Sequence, residues 1–472
     1  MQQYLNILNK AIKEWTTESR PASRLMSAEK LSQLVDFSLD EKGASIEQLE
    51  QAAKDFLYYN PDVASKDFCK LLYSGQNKPA LLGDWITAIS NATMHTYQVA
   101  PVATLMEVEL IKQWNKLIGF HNPEIGLQGD GIMVPGASQA NLLGMMLARH
   151  KSCAEYKAKG SQGKVLVAYV SEQAHYSWEK AANVLGIGTD NLVAIKADDQ
   201  GRLCPESLEV EIQNSLQQGH IPFFIGVTAG TTVVGSFDPV KPCAEIAAKY
   251  QLWLHIDGAW GAPVVFSDKH KHLLENSELA DSMAWDAHKF MNVPLTAAVI
   301  LVKKTGLLEA CCSGGGGEYL FHADENAQYN LGQKSIQCGR RADALKVWLS
   351  WKALGHLGFA EKMDRQQKLK SYCVDQIEGS EHLQMLAPAV YLNVLFRFEP
   401  TSGATLDEQQ LRQLNIDICK QLQQQGDSYV DYARYKGHSG IRLILANEQK
   451  QNYDIDRLLD NIVEIGKGLL VG

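Results

Sequence analysis

In Leu252-Trp253-Leu254-His255-Ile256-Asp257 and Ser282-Met283-Ala284-Trp285-Asp286-Ala287-His288-Lys289, two apolar runs, Leu252–Ile256 and Ser282–Trp285, stop at polar groups. Each is a short, largely apolar run that ends on charged residues. Similar runs recur at Val165–Val170, Leu192–Ile195, Phe223–Val227 and Ala297–Val302. Helical patterns such as Glu206–Gln217 and Val240–Tyr250 separate some of them. Continuous apolar strands alternating with helices predict an α/β protein, with a mostly parallel sheet covered on both faces. Ligands of such sheets bind beyond the carboxyl ends of the strands. The polar residues just after each run are therefore the candidates for function.

Flanking this core, the first 75 residues read as helices with polar joints, and Tyr4, Leu5, Leu8, Ile12 and Trp15 recur at helical spacing. The expected division is an N-terminal helical segment at 1–75, a large domain at 76–345 and a small α+β domain at 346–472. In the last, a helical stretch Ala342–Lys370 leads into Tyr391–Phe398, a helix near Asp407–Gln424, and Gly440–Leu445. Gly314–Gly317 is a glycine run with no strand or helix tendency of its own.

Composition narrows the function. The 472 residues carry 45 Lys+Arg against 54 Asp+Glu, a net charge of −9. Such a field repels phosphate backbones, so nucleic acid is not the expected partner. With 45% hydrophobic residues the chain can bury a large core without staples. Its nine cysteines are odd in number, contain no C-x-x-C and form no zinc-spaced group with histidines, so reduced thiols and no metal are expected. MQQYLNILNKAIKEW lacks the marks of a signal peptide, and runs such as Leu295–Val302 are too short to span a bilayer. A soluble, cytoplasmic protein is expected.

The strand ends then supply chemistry. After Val165–Val170 comes Ser171-Glu172-Gln173-Ala174-His175; after the two opening runs come Asp257 and Asp286-Ala287-His288-Lys289. Pro135-Gly136-Ala137-Ser138-Gln139-Ala140-Asn141 opens a helix, where small residues let backbone N–H groups approach an anion. Each feature has a plainer reading. Ser138 could simply cap the helix, Asp257 could be a cap or a solvated turn, and Lys289 a surface lysine. Together they form a phosphate cradle, an imidazole, a costly buried carboxylate and an amine at one sheet edge. That set matches pyridoxal phosphate: its aldehyde needs an amine, its pyridine nitrogen a carboxylate, its ring a flat partner and its phosphate N–H donors.

Asp281–Met291 (DSMAWDAHKFM) resembles the lysine signature of the group II pyridoxal-phosphate-dependent amino-acid decarboxylases, and His255–Gly261 (HIDGAWG) resembles their aspartate segment. Ser171–Ser177 (SEQAHYS), Thr228–Thr232 (TAGTT), Gln337–Arg341 (QCGRR) and Thr96–Glu107 (TYQVAPVATLME) fit in order, from about residue 68 to the end. Within the family, SEQAHYSWEKAANVLGIGTDN, AGTTVVGSFDP and SIQCGRRAD are most similar to the glutamate, cysteine-sulfinate and aspartate decarboxylases. The resemblance implies PLP fold type I, aspartate aminotransferase-like, and a homodimer with active sites at the subunit interface. It assigns Lys289 to the Schiff base, Asp257 to the pyridinium proton and His175 to ring stacking. Ala137 and Ser138 fall to the phosphate, Thr231 and His288 lie near the cofactor, and Ser335 reaches the partner subunit's phosphate. Asn91 and Thr93 are placed on the substrate side. Tyr319, in Glu318-Tyr319-Leu320-Phe321, resembles the loop tyrosine that returns a proton to Cα after carbon dioxide leaves; its plainer reading is an exposed loop tyrosine.

Specificity rests on Arg442, in Gly440-Ile441-Arg442-Leu443, which the resemblance assigns to the substrate's distal acid; a guanidinium suits a carboxylate and repels an ammonium. The family's Phe-Phe-Asn-Gln-Leu aligns with Phe68-Cys69-Lys70-Leu71-Leu72, so Leu71 stands where a Gln assists distal binding. Aspartate and cysteine sulfinate therefore compete with glutamate as substrate. The expected activity is α-decarboxylation of an acidic L-amino acid. The alternatives are a 2,4-diaminobutyrate or aromatic amino-acid decarboxylase of the same group, and a PLP-fold dimer without turnover. A nucleotide-binding α/β protein is disfavoured, since no G-x-x-x-x-G-K-[ST] occurs.

Overall fold

The structure, a computed structural model, describes residues 1–17, 20–314, 317, 319–321, 324–401 and 406–471. Gly315, Gly316 and Glu318, in the expected glycine run and tyrosine loop, lie outside the described residues. The chain forms two compact units, one of residues 76–370 and 388–393, the other of 1–75, 371–387 and 394–472.

The first unit is built on a sheet of seven strands: β1 (Asp130–Val134), β2 (Leu166–Ser171), β3 (Leu192–Ile195), β4 (Ile221–Thr228), β5 (Trp253–Asp257), β6 (Ser282–Asp286) and β7 (Ala298–Val302). Their order is β1-β7-β6-β5-β4-β2-β3. From β3 to β6 all neighbours are parallel, and only β7 runs antiparallel to both β6 and β1. Every residue of β1, β2, β5, β6 and β7 is buried, as expected for strands covered on two faces. The six expected runs all form strands, with ends that differ by at most two residues. β1 was not among them: Asp130 and Gly131 break its apolar character, yet it pairs with β7 along its whole length.

Helices Ala137–Ser152, Pro205–Gln217 and Val240–Tyr250 cover the sheet. The first packs on β4, β5, β6 and β7 and brings its amino end to the carboxyl ends of the parallel strands. Its approach depends on Gly144: a Cβ there would stand 2.4 Å from His255 Nδ1 on β5.

In the second unit, helix Gln2–Thr17 lies beside Ile46–Tyr59. A four-stranded sheet orders β8 (Leu383–Met385), β9 (Asn393–Phe398), β10 (Asp431–Tyr435) and β11 (His438–Ile444) as β10-β11-β9-β8. Helices Glu408–Gln425 and Asn452–Val471 pack against each other, the former also on β11. The amide of Cys69 donates to Tyr429 O (2.9 Å) and that of Ile444 to Cys69 O (3.1 Å), which ties residues 68–70 to this sheet. Among the described residues no helix is long and apolar enough to cross a membrane, and no group of three or more metal-ligating side chains occurs.

Candidate active site

Parallel register sets the last residues of β4 and β5 side by side, Thr228 beside Asp257, and pairs Asp257 with Ala284, two residues before the end of β6. Asp257 is 5% exposed, and a carboxylate so deep needs donors. Asn141 Nδ2 gives one to Oδ2 (2.8 Å) and the Ala259 amide another to Oδ1 (3.2 Å). Asn141 is itself fixed, its Oδ1 3.1 Å from His255 Nε2 and its Nδ2 also donating to Ser177 Oγ (3.0 Å). Behind it, Ser282 Oγ lies 2.7 Å from His255 Nδ1 and accepts from Trp253 Nε1 (2.8 Å).

One protonation pattern satisfies this chain. Ser282 receives the indole N–H and donates to Nδ1, and Nε2–H donates to Asn141, which leaves the Asn141 amide aimed at Asp257. Complete burial supports it by pushing the His255 imidazole down to about 4, against the pull of Asp257, so the ring is neutral near pH 7.

A second buried carboxylate organises the lysine. Asp286 Oδ2 lies 3.1 Å from Lys289 Nζ and 3.6 Å from His288 Nε2, and Oδ1 accepts the Ala137 amide (2.8 Å). His288 is anchored through Nδ1 to Ala297, whose oxygen is 2.8 Å away. Burial lowers the His288 imidazole, opposed by Asp286, and desolvation likewise lowers that of His175. For His175 desolvation is the largest cause, and Asp257 opposes it while Lys289 adds to it. The Ser177 amide holds His175 Nδ1 at 3.2 Å.

The helix opening differs from one reading of the sequence. Its N-cap is Gly136, and Ser138 makes no cap. The Ala137 amide already serves Asp286, so the Ser138 amide and hydroxyl are the next groups at this end. Thr231 is buried, its Oγ1 accepting the Ser236 amide (3.0 Å). That turn needs Gly230, at φ +81° and so close to Gly261 N that a Cβ would fall 2.9 Å away. Thr228 Oγ1, on the residue paired with Asp257, is buried with no hydrogen-bond partner among the described residues.

Lys289, His288 and Ala137 thus meet at Asp286, and Asp257 is held apart from them by Asn141 and the Ala259 amide. Other expected site residues are held elsewhere. Ser335 is buried and accepts the Gln337 amide (3.0 Å). Thr93 bridges to Arg341, its Oγ1 buried without a partner. Asn91 ends helix Lys78–Ser90 in the left-handed region (φ +47°), a backbone role. Tyr319 is 76% exposed. Arg442, on β11 of the second unit, is buried and donates to Lys70 O (3.1 Å); desolvation lowers its guanidinium, which Asp431 opposes. Lys70 Nζ faces Asp431 (3.4 Å) and the Tyr429 ring.

Three residues of the first unit's site escaped the sequence reading. Asn141 and Asp286 lie in quoted stretches but were given no part, and His255 looked like one residue of a strand. The available signal was their type: an amide one helical turn past a candidate phosphate loop, and two polar side chains inside apolar runs.

The donor set fits pyridoxal phosphate. A lysine amine, a carboxylate fixed by two donors, a neutral imidazole, the unpartnered Thr228 hydroxyl and a helix amino end share one sheet edge. The family described as "Pyridoxal-dependent decarboxylase conserved domain" matches residues 28–399. The human "Acidic amino acid decarboxylase GADL1" is 36% identical over 451 residues, covering 93% of this chain and 85% of that protein. The rat "Cysteine sulfinic acid decarboxylase" is 34% identical over 472 residues, covering 98% and 94%. A crystal structure of mouse CSAD superposes with a TM-score of 0.91 at 33% identity, covering 98% of this chain and 97% of that one. The fold is PLP fold type I, the cofactor is pyridoxal 5'-phosphate, and the chain belongs to the pyridoxal-dependent decarboxylase family.

Proposed function

We propose that this protein is an α-decarboxylase of acidic L-amino acids, acting on glutamate, aspartate or cysteine sulfinate and returning the amine and carbon dioxide. The observation that carries the chemistry is the pairing of Lys289 with Asp286 next to Asp257 held by Asn141. Bound there, pyridoxal phosphate supplies the electron sink that lets the α-carboxylate leave. Lys289, its amine beside Asp286, would hold the cofactor through its aldehyde. Asp257, fixed by the Asn141 amide and the Ala259 N–H, keeps a proton at the pyridine nitrogen. His175, lowered by desolvation and so a neutral, flat ring, orients the cofactor. Ala137, Ser138 and Ser335 are assigned to the phosphate, and Thr231 and His288 to the cofactor's surroundings. Tyr319 returns a proton to Cα. Asn91 and Thr93 are assigned to the substrate side.

The acidic substrate is supported by the names of the human and rat relatives and by Arg442, a buried guanidinium of the kind that pairs with carboxylates. A homodimer is supported by exposed apolar side chains on two helices. Helix Lys78–Ser90 exposes Leu82, Trp85, Ile86 and Ile89, and Pro101–Leu117 exposes Val102 and Leu105. A cytoplasmic setting accords with its unpaired thiols.

The test is carbon dioxide release from glutamate, aspartate, cysteine sulfinate, 2,4-diaminobutyrate and tyrosine. Release from one or more of the first three is expected. A preference for diaminobutyrate or tyrosine would reject the acidic assignment, and a yellow protein that decarboxylates none would reject turnover.

A further inference from the structure

Asn393 is the first residue of β9, yet it belongs with residues 388–393 to the first unit. It is 1% exposed, and its side-chain amide is fully engaged. Oδ1 accepts from the indole Nε1 of Trp260 (2.7 Å), and Nδ2 donates to Thr232 O (2.9 Å) and Val233 O (3.2 Å). Only one orientation of the amide meets all three partners, because an N–H faces its oxygen and two carbonyls face its nitrogen. The chain leaves room for it at Gly235, where a Cβ would stand 2.9 Å from Asn393 Oδ1. Trp260 is itself fixed, 1% exposed and with its ring 5.0 Å from that of Tyr391.

The two ends of this amide lie in the two turns assigned to the cofactor. Trp260 follows Asp257 and the Ala259 amide that holds its carboxylate, and Thr232 follows Thr231. The turns also bond directly: the Ala229 amide donates to Asp257 O (2.9 Å), and the Gly261 amide to Ala229 O (2.9 Å). Asp238 closes the base of the threonine turn. Its carboxylate accepts the Thr228 amide (2.7 Å), and its own amide donates to Thr228 O (2.9 Å). Inside the turn the Gly230 and Thr231 amides share Ser236 O, each at 2.9 Å. Asn393 holds the far end of the turn, at 232–233, to the aspartate segment.

We propose that Asn393 is a positioning residue of the cofactor site, which through Trp260 and the carbonyls of Thr232 and Val233 sets the separation of the turns that carry Asp257 and Thr231. It acts through these neighbours and not on the reacting atoms. The place calls for an amide. An aspartate of the same shape keeps the acceptor for the indole but loses both donors, and sets a carboxylate against two carbonyl oxygens. The turns then separate, and the carboxylate of Asp257 no longer meets the pyridine nitrogen in one fixed geometry. The inference rests on the assignment of Asp257 and Thr231 to the cofactor. A residue that is scaffold alone costs folding stability when changed. A positioning residue also alters the bound cofactor in variants that stay folded.

The experiment compares the full-length protein with Asn393→Asp, Trp260→Phe and the double variant, each well below its melting temperature. The holoenzyme is stripped of pyridoxal phosphate, which is titrated back and followed by absorbance and visible circular dichroism. Carbon dioxide release is then measured with saturating cofactor. Asn393→Asp is expected to raise the cofactor's dissociation constant by about tenfold and to weaken the dichroic band of the bound form. Its kcat should fall by about tenfold while the substrate KM changes by less than about twofold. Trp260→Phe cuts the other end of the bridge and should act in the same direction. The double variant should be no worse than Asn393→Asp, because a bridge cut at one end is already lost. Losses that multiply in the double variant overturn the proposal, as does an Asn393→Asp protein with a lowered melting temperature but unaltered cofactor affinity and dichroism. If Asn393→Asp does not fold, Trp260→Phe is read in its place, and unaltered affinity and dichroism there overturn the proposal. A chain that decarboxylates no amino acid rejects the proposed activity instead, and the cofactor titration then decides for Asn393.

Discussion

The edge of the sheet at β5 and β6 and the segment around Tyr319 are assigned to successive halves of one reaction, yet they are built differently. At the sheet edge Asp257 and Asp286 are each nearly buried and each held by at least two donors, and the partners of Asp257 are fixed by further bonds back to Ser282. Tyr319 is 76% exposed and stands in a glycine-rich segment. Binding a charged aromatic cofactor calls for groups that do not reorganise, and a buried network supplies them. A proton donor that must admit substrate first and act later gains nothing from such fixity. Loss of the sheet edge should therefore abolish cofactor chemistry, and loss of the tyrosine should only misdirect it.

That contrast can be broken at several points. Lys289→Ala should lose the absorbance near roughly 420 nm and lower carbon dioxide release by at least about 10³-fold; a retained band would move the covalent link to another lysine. Asp257→Ala should still bind the cofactor, more weakly, and lose about 10²–10³-fold in turnover, read by steady-state kinetics with saturating cofactor. Tyr319→Phe should leave cofactor affinity unchanged while raising abortive transamination by roughly tenfold or more, measured as loss of the absorbance during turnover. Unchanged partitioning would remove Tyr319 from the mechanism and erase the contrast.

The smallest effects test the scaffold. Alanine normally favours a helix over glycine, but Gly144→Ala should destabilise the fold by about 1–3 kcal/mol in denaturant melts, because its Cβ meets His255. His255 also gives stability a pH dependence. Its folded value, about 4, lies below the unfolded 6.5, so the unfolded chain binds the proton more readily. Its contribution is fully present above pH 6.5 and falls by about 1.4 kcal/mol per unit as pH drops towards 4. A flat melting profile across that window would mean that His255 is charged in the folded state.

Much of this was legible in the sequence, for a physical reason. Apolar runs that stop on an Asp or a Lys are rare unless the polar group has work to do, so the strands and their terminal residues could be read together. β1 was less legible because Asp130 and Gly131 interrupt its pattern; the structure answers Asp130 with Lys334 (2.8 Å), and a Cβ on Gly131 would stand 2.7 Å from Ile300 O. The buried Arg340–Glu107 pair and Asn141 as the partner of Asp257 were hidden for another reason. Each depends on residues that meet only after folding, which spacing along the chain does not encode. Arg442 is legible as a buried guanidinium only in the structure, and its purpose only by family resemblance.

The reversed direction of β7 bears on how the site is assembled. Its return beside β6 lets Ala297 secure His288 across nine residues, so the lysine turn can form almost as soon as that hairpin leaves the ribosome. The other contacts close longer rings, of 116 residues, Asn141 to Asp257, and 149 residues, Ala137 to Asp286. During synthesis nearly two-thirds of the polypeptide must emerge before vitamin B6 has anywhere to dock, which makes cofactor capture a late event in the life of the nascent chain.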